Sequence, residues 1–255
     1  MSGLLGRLDV GAMLRDYPIG RAFLEGPAAL SRDALRALQE HRFACVMERA
    51  WQVPFYRDRW TAAGLEPGDI SGLEDLARVP SFSKDDLMAS VAAAPPFGRF
   101  DGRDADNPFV VFHTTSGTTG IPQPLFYGAE DREIQNLLLA RAYRLMGLRD
   151  DDIVHSVYGF GTVNGGHYVR EAVTHFTDAL LVPAGTGRDM PSEQQVETMA
   201  RLGATVLVGF GDYVRHLAET AERKGLKIPL RLVLGHFGRG DRQAVSDAWG
   251  RGGGL

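Results

Sequence analysis

Side chains and glycines able to hold an anion crowd into one short stretch, Thr114-Thr115-Ser116-Gly117-Thr118-Thr119-Gly120, followed by Ile121-Pro122. Glycine lets the backbone take positive φ and bring its N–H groups against an anion, and serine and threonine add hydroxyl donors for phosphate oxygens. The apolar run Phe109-Val110-Val111-Phe112 just before it predicts a strand, so the donors leave that strand as a loop suited to a nucleotide triphosphate. It is not a Walker loop, because no Gly-Lys-Ser/Thr follows at the required spacing. As a bare pattern, G-T-T-G also fits an ordinary Gly/Thr-rich turn.

Other candidates lie downstream. Tyr158-Gly159-Phe160-Gly161 brackets aromatics with glycines after a predicted strand, a make-up that serves either an apolar ligand pocket or a turn whose rings complete the core. Pro183-Ala184-Gly185-Thr186-Gly187 reads as a strand-to-helix turn or a second anion cradle. His155, on a predicted strand, and His113, just before the loop, read as hydrogen-bonded structural residues rather than catalysts, and His155 and His167 flank the Tyr158 region. Cys45, the single cysteine, excludes an internal disulfide and reads as a buried structural thiol on an apolar helix face. No cluster of His, Cys or carboxylates has metal-ligand spacing.

These residues need elements to place them. Ser31 is a helix N-cap for a helix over 32–52 whose apolar stripe is Leu35, Leu38, Phe43, Val46, Met47 and Ala50, and Val53-Pro54 ends it. Ser83 and Asp86 form a capping box. From residue 130 onward the periodicity predicts helices near 130–146, 166–176, 192–202, 213–224 and 242–249, alternating with strands near 153–158, 179–182, 205–209 and 230–234. That alternation predicts an α/β fold: a layered, parallel-rich sheet with helices on both faces, preceded by a helical N-terminal segment. Ligands of such sheets gather beyond the carboxyl ends of the strands, which predicts one rim carrying Ser116–Gly120, Tyr158–Gly161, Ala184–Gly187 and Gly209–Gly211.

With 255 residues the chain is long enough for one large domain, and 44% hydrophobic with 24% charged residues is ordinary for a globular protein. A net charge of -4 argues against a nucleic-acid partner. No apolar run approaches the length of a membrane span and no secretory signal opens the chain, which makes a cytoplasmic protein the expectation.

T-S-G-T-T-G-x-P resembles the phosphate loop of the adenylate-forming enzymes. Val53-Pro54-Phe55-Tyr56-Arg57, Leu73–Pro80, Ser83-Lys84-Asp85-Asp86-Leu87, Tyr158–Gly161 with Gly165-Gly166, and Val182–Gly187 resemble, in order and spacing, the phenylacetate–coenzyme A ligase branch. The resemblance runs from about Leu35 onward and weakens after Leu234. It implies the N-terminal part of an enzyme that uses ATP, Mg²⁺ and coenzyme A to turn a small, aryl carboxylic acid into an acyl-adenylate and then a thioester. It also implies an N-terminal segment over 1–108, and over 109–255 the nucleotide-binding part of an incomplete adenylation domain without its C-terminal lid domain. Ser116, Gly117, Thr118, Thr119 and Gly120 would then cradle the ATP phosphates, and Tyr158, Phe160, Gly161, Val163 and Gly209 would border the acyl pocket.

Three departures qualify what the resemblance implies. The lysine expected just past the loop glycines is replaced by Ile121 or Gln123, and Gly235-His236-Phe237-Gly238 stands where relatives tend to have Gly-Ala-Glu-Pro. The chain also stops before the glutamate motif and terminal lysine of the family. The expectation is a chain that adenylates poorly as it stands, either a fragment or a natural short relative, with no residue assigned as catalytic. A non-catalytic nucleotide or aryl-acid binding module derived from such a ligase is the competing reading. An unfinished sheet edge predicts association, as a homodimer or with a complementing C-terminal polypeptide.

Overall fold

A computed structural model describes residues 3–103, 108–117, 120–238 and 241–250. Contacts divide the chain into two compact units, one of residues 1–8 and 24–130, the other of residues 9–23 and 131–255. Two short helices, α1 (Val10–Asp16) and α2 (Gly20–Glu25), come first.

In the first unit the Ser31 hydroxyl accepts from the Ala34 N–H at 3.2 Å, capping α3 (Arg32–Gln52) at the residue its type predicts. Pro54 then opens α4 (Pro54–Ala62), where its fixed φ suits a first helical position. The core between them is Met47, Trp60, Leu65 and Ile70, with Phe43, Ala50 and Trp51 against it. Trp51 and Trp60 meet edge to face at 5.0 Å. The buried stripe of α3 is thus narrower than its composition suggests. Phe43, Met47 and Ala50 face inward, whereas Leu35 and Val46 are exposed. Cys45 is exposed as well, correcting its assignment to a buried face: it projects from the side of α3 away from Met47.

α5 (Lys84–Ala93) starts at the expected capping box. Ser83 Oγ accepts from the Asp86 N–H, and the Asp86 carboxylate accepts from the Ser83 N–H at 2.7 Å. β1 (Val111–Thr114) pairs antiparallel with β2 (Pro124–Tyr127), in register Val111 with Tyr127. The hairpin packs through Phe109, stacked on Phe126 at 5.0 Å, and through Phe97, edge-on to Phe126.

The second unit holds α6 (Ala129–Leu145) from Asp131 onward, then β3 (Ile153–Ser156), α7 (Gly165–Phe176), β4 (Leu180–Pro183), α8 (Ser192–Leu202), β5 (Val206–Phe210), α9 (Gly211–Arg223), β6 (Leu232–His236) and α10 (Asp241–Gly250). Its four strands are parallel in the order β4-β3-β5-β6. Successive strand residues point to opposite faces. Val154, Val206, Val208 and Leu234 bury one face against Tyr143 of α6 and Val169 and Val173 of α7. Leu207 and Val157 bury the other against Val196 and Met199 of α8, Val214 and Leu217 of α9, and Val245 and Trp249 of α10. The Trp249 indole donates to the Val214 carbonyl at 3.2 Å. This is the layered α/β arrangement that the alternation of elements predicts.

The hairpin is the main departure. β1 belongs to a two-stranded antiparallel sheet of the first unit, so the described residues between Thr114 and Pro124 lie within a hairpin and do not follow a strand of the parallel sheet.

Candidate functional site

The hairpin loop is stapled at its base. The Thr115 N–H donates to the Gln123 carbonyl at 3.1 Å, and the Gln123 N–H donates back to Thr115 Oγ1 at 3.0 Å. Inside, the Gly120 N–H donates to the Gly117 carbonyl at 3.0 Å. Gly117 has φ +68°, and a Cβ there would meet Pro122 Cγ at 2.7 Å. Conformation and space therefore both require glycine. Gly120 takes φ +140° in open space, and it and Ser116 are exposed, leaving the described part of the loop accessible to a ligand. Thr118 and Thr119 lie outside the described residues.

Beside this loop is a cavity of about 540 Å³ lined by Ser83, Lys84, Asp85 and Met88 of α5 and its cap, together with Gly120 and Ile121. Lys84 is half-buried and forms no ion pair among the described residues. Sequence reasoning sought a cation at Ile121 or Gln123. Ile121 is instead 73% exposed, and the lysine that lines the cavity comes from a different element. The signal was present in the Ser83–Asp86 capping box, which places Lys84 in a first helical turn.

In the second unit the chain runs from β3 out to β4 and then returns across β3 to β5. Ligands of open α/β sheets settle in the crevice at such a reversal, beyond the carboxyl ends of the strands. Here those ends are crowded with rings. The Tyr158 hydroxyl lies 3.1 Å from His236 Nδ1 and 3.4 Å from the Gly209 carbonyl, and its ring meets Phe210 edge to face at 4.7 Å. Tyr158 is buried, and burial pushes its phenol above the ordinary tyrosine range, so it remains O–H at neutral pH. Phe210 is 56% exposed at the mouth.

Of the expected pocket residues, Tyr158 and Gly209 meet directly. Phe160 packs edge-on against His167, whose Nε2 lies 3.0 Å from the Gly161 carbonyl, and Val163 is exposed. Phe210 falls within the expected rim and His236 within the stretch that departs from the family pattern, but neither was expected as a ring neighbour of Tyr158.

Two buried networks hold this rim. Arg132 of α6 donates to Glu171 at 2.6 Å and to Asn164 Oδ1 at 2.6 Å, fixing the end of the 158–164 segment where α7 begins. Gly166 donates to the Gly159 carbonyl at 3.2 Å, and a Cβ on Gly166 would overlap that carbonyl. On the other face His155 Nε2 lies 3.1 Å from Gln195 Oε1, and Gln195 Nε2 donates to the Gly185 and Met190 carbonyls. Burial lowers the His155 pKa against the opposing effect of Gln195, so the ring is a neutral structural group. The turn after β4 is thus shaped by Gln195, a residue with no motif to mark it.

The fold that carries the glycine-dependent loop and, in the other unit, the ring-lined crevice is similar to that of solved adenylate-forming ligases. 2-Hydroxyisobutyryl-CoA ligase, solved with 2-HIB-AMP and CoA in the thioesterification state, matches 87% of this chain and 48% of its own at TM-score 0.79 and 29% identity. The open conformation of that ligase gives TM-score 0.78 at 28% identity. Within the class, the chain is homologous to the N-terminal part of phenylacetate–coenzyme A ligase. It is 33% identical to the Pseudomonas putida enzyme over 86% of this chain and 48% of that protein, and 31% identical to the Escherichia coli enzyme over 76% and 42%. The chain spans about half the length of the curated relatives it matches. No protein-family model matches it.

Proposed function

We propose that this chain is the nucleotide- and acid-binding N-terminal portion of an ATP-dependent aryl carboxylate–coenzyme A ligase, working in the cytoplasm. In the complete enzyme a carboxylate oxygen attacks the α-phosphorus of ATP and expels pyrophosphate, and the coenzyme A thiol then displaces AMP to leave the thioester. Such chemistry depends mainly on positioning and charge neutralisation. The observation that carries the reading is the glycine-dependent turn at Gly117 with Lys84 in the adjoining cavity.

In this reading Ser116, Gly117, Thr118, Thr119 and Gly120 hold the phosphates and Lys84 supplies the cation missing from the loop itself. Tyr158, Phe160, Gly161, Val163 and Gly209 border the acyl group. Asp85 lines the same cavity as Lys84, a mixed lining that suits a magnesium-bound triphosphate better than a bare one. Among the described residues no three His, Cys, Asp or Glu side chains converge, so Mg²⁺ is assigned to the complete enzyme with its nucleotide.

Titration of the purified chain with Mg·ATP tests the reading. Lys84→Ala removes a charge-assisted hydrogen bond of about 1.5 kcal/mol, equivalent to roughly a tenfold loss of affinity. Replacing Thr118 and Thr119 together by alanine weakens binding in the same direction. Affinities equal to the unaltered chain for both variants would remove the phosphate site. Pyrophosphate exchange with aryl acids separates a working half-enzyme from a binding module, because only the former returns label to ATP.

A further inference from the structure

Asn164 occupies the N-cap position of α7, where an asparagine ordinarily turns its side chain onto the first free N–H groups of the helix. Here the side chain makes no cap hydrogen bond. Its Oδ1 accepts from Arg132 Nη1 at 2.6 Å, and its Nδ2 donates to Gln135 Oε1 at 3.1 Å, both on α6. One N–H of the first helical turn is satisfied from elsewhere, since Gly166 donates to the Gly159 carbonyl at 3.2 Å. Asn164 thus forgoes about 1 kcal/mol of local capping. It forms instead a tie to a residue 32 positions earlier in the chain.

The other end of that tie is held firmly. Arg132 is buried, and its planar guanidinium donates from Nε to Glu171 Oε2 at 2.6 Å and from Nη1 to Asn164. Asn136, one turn further along α6, donates from Nδ2 to the same Glu171 oxygen at 3.0 Å. Burial alone would raise the Glu171 pKa, but the Arg132 hydrogen bond and charge, with Asn136 and Arg170, hold it below the ordinary carboxylate range. An ion pair taken out of water returns little net stability over apolar residues of the same shape. What this one supplies is direction. With Glu171 of α7 holding Nε, the rigid fork presents Nη1 to one place, and Asn164 is held there.

Between the end of β3 and Asn164 lie Tyr158, Phe160, Gly161 and Val163, which border the acyl group in the reading above. Their loop is closed at its start by Gly159 against Gly166, braced midway by His167 Nε2 at 3.0 Å from the Gly161 carbonyl, and tied at its end by Asn164. We infer that Arg132, Glu171 and Asn164 are positioning residues for acid binding: the fork between α6 and α7 sets the path of residues 158–164 and so holds the acyl-lining side chains in the arrangement that receives an aryl carboxylate. This rests on the ligase reading above. A wall already in place binds with its full intrinsic affinity, whereas one in place for about a tenth of the molecules loses about tenfold.

The informative change is at Asn164, because Arg132→Ala would strand the Glu171 carboxylate in the interior and confuse loss of fold with loss of position. Asn164→Ser keeps a side chain able to cap α7 but withdraws the oxygen from Arg132, and Asn164→Asp keeps an acceptor for the guanidinium. Phenylacetate and benzoate are titrated against the full chain by ligand-observed NMR, alongside Mg·ATP and a thermal melt. Asn164→Ser is expected to weaken the better-bound acid about tenfold and to quicken amide exchange of residues 159–164, with Tm and Mg·ATP affinity unaltered. Asn164→Asp is expected to retain both acid affinity and protection. Acid affinity in Asn164→Ser equal to that of the unaltered chain, or an equal loss in Asn164→Asp, overturns the positioning role and leaves the ligase reading standing. A joint fall in acid affinity, Mg·ATP affinity and Tm overturns it too, by marking a tie that serves the fold alone. If neither acid binds the unaltered chain, the acid-pocket reading falls and takes the positioning role with it.

Discussion

Gly235→Ala is expected to destabilise the second unit by about 3–5 kcal/mol, read as a fall in the urea midpoint. Gly235 takes φ +150°, and a Cβ there would overlap the Gly209 carbonyl oxygen and lie 2.9 Å from its carbon. The obstacle is backbone in the adjacent strand, so no side chain can rotate out of the way. Nor can Gly209 retreat, since a Cβ on it would overlap Val157 and come within 3.1 Å of Val214. Gly203, the left-handed cap of α8, separates the two contributions. It has φ +69° with nothing near its Cβ position, so Gly203→Ala carries only the conformational cost of about 1 kcal/mol. Equal losses in the two variants would show that the contact between β5 and β6 is not the cause.

Arg231→Ala is expected to cost about 3 kcal/mol, because it strands a buried carboxylate. Asp152 is 2% exposed and accepts from Arg231, from Thr205 Oγ1 at 2.7 Å and from the Arg149 N–H at 2.7 Å. Burial by itself would raise the Asp152 pKa, but the Arg231 hydrogen bonds and charge, with the other two donors, hold it below the ordinary carboxylate value. The sign follows from linkage: a depressed folded pKa gives stability that is fully present above the unfolded value of about 3.9 and is lost as pH falls through the folded one. Asp152→Asn should flatten the acid limb of stability against pH. In Arg231→Ala burial prevails, the folded pKa rises above the unfolded one, and lowering pH from 7 toward 4 should restore stability instead of removing it. Urea midpoints across that range decide the matter.

Much of the fold was legible because its signals are local. The Ser31 cap and Val53-Pro54 bracket α3, and the Ser83–Asp86 box starts α5, since capping involves residues three apart. The βαβ rhythm after residue 130 was readable from period-2 and period-3.6 patterns, with α8 found at 192–202. β2 was not legible. Pro124–Tyr127 is four residues long, opens with proline and does not alternate, so its strand character comes from pairing with β1. The exposed side of α3 was also hidden, because Leu35 and Val46 have the same helical spacing as the buried residues and yet are exposed.

A local signal marked the glycine turn at Gly117, whereas the parts of the candidate site that join distant segments carried none. Lys84 meets Gly120 through the cavity they share, and Tyr158 meets His236 through the order of strands. Gln195 reaches His155 across the sheet-helix interface, and its amide carries no sequence signature of that task.

The three tryptophans are shared out between the units, Trp51 and Trp60 in one and Trp249 in the other. Fluorescence can therefore be assigned. Trp249, shielded in α10, shifts to longer wavelength when water reaches the α9–α10 layer, and Trp249→Phe leaves an emission belonging wholly to the touching pair between α3 and α4. Near-ultraviolet circular dichroism from that close indole pair gives a second optical label, so the melting of each half of the molecule can be recorded without attaching a dye.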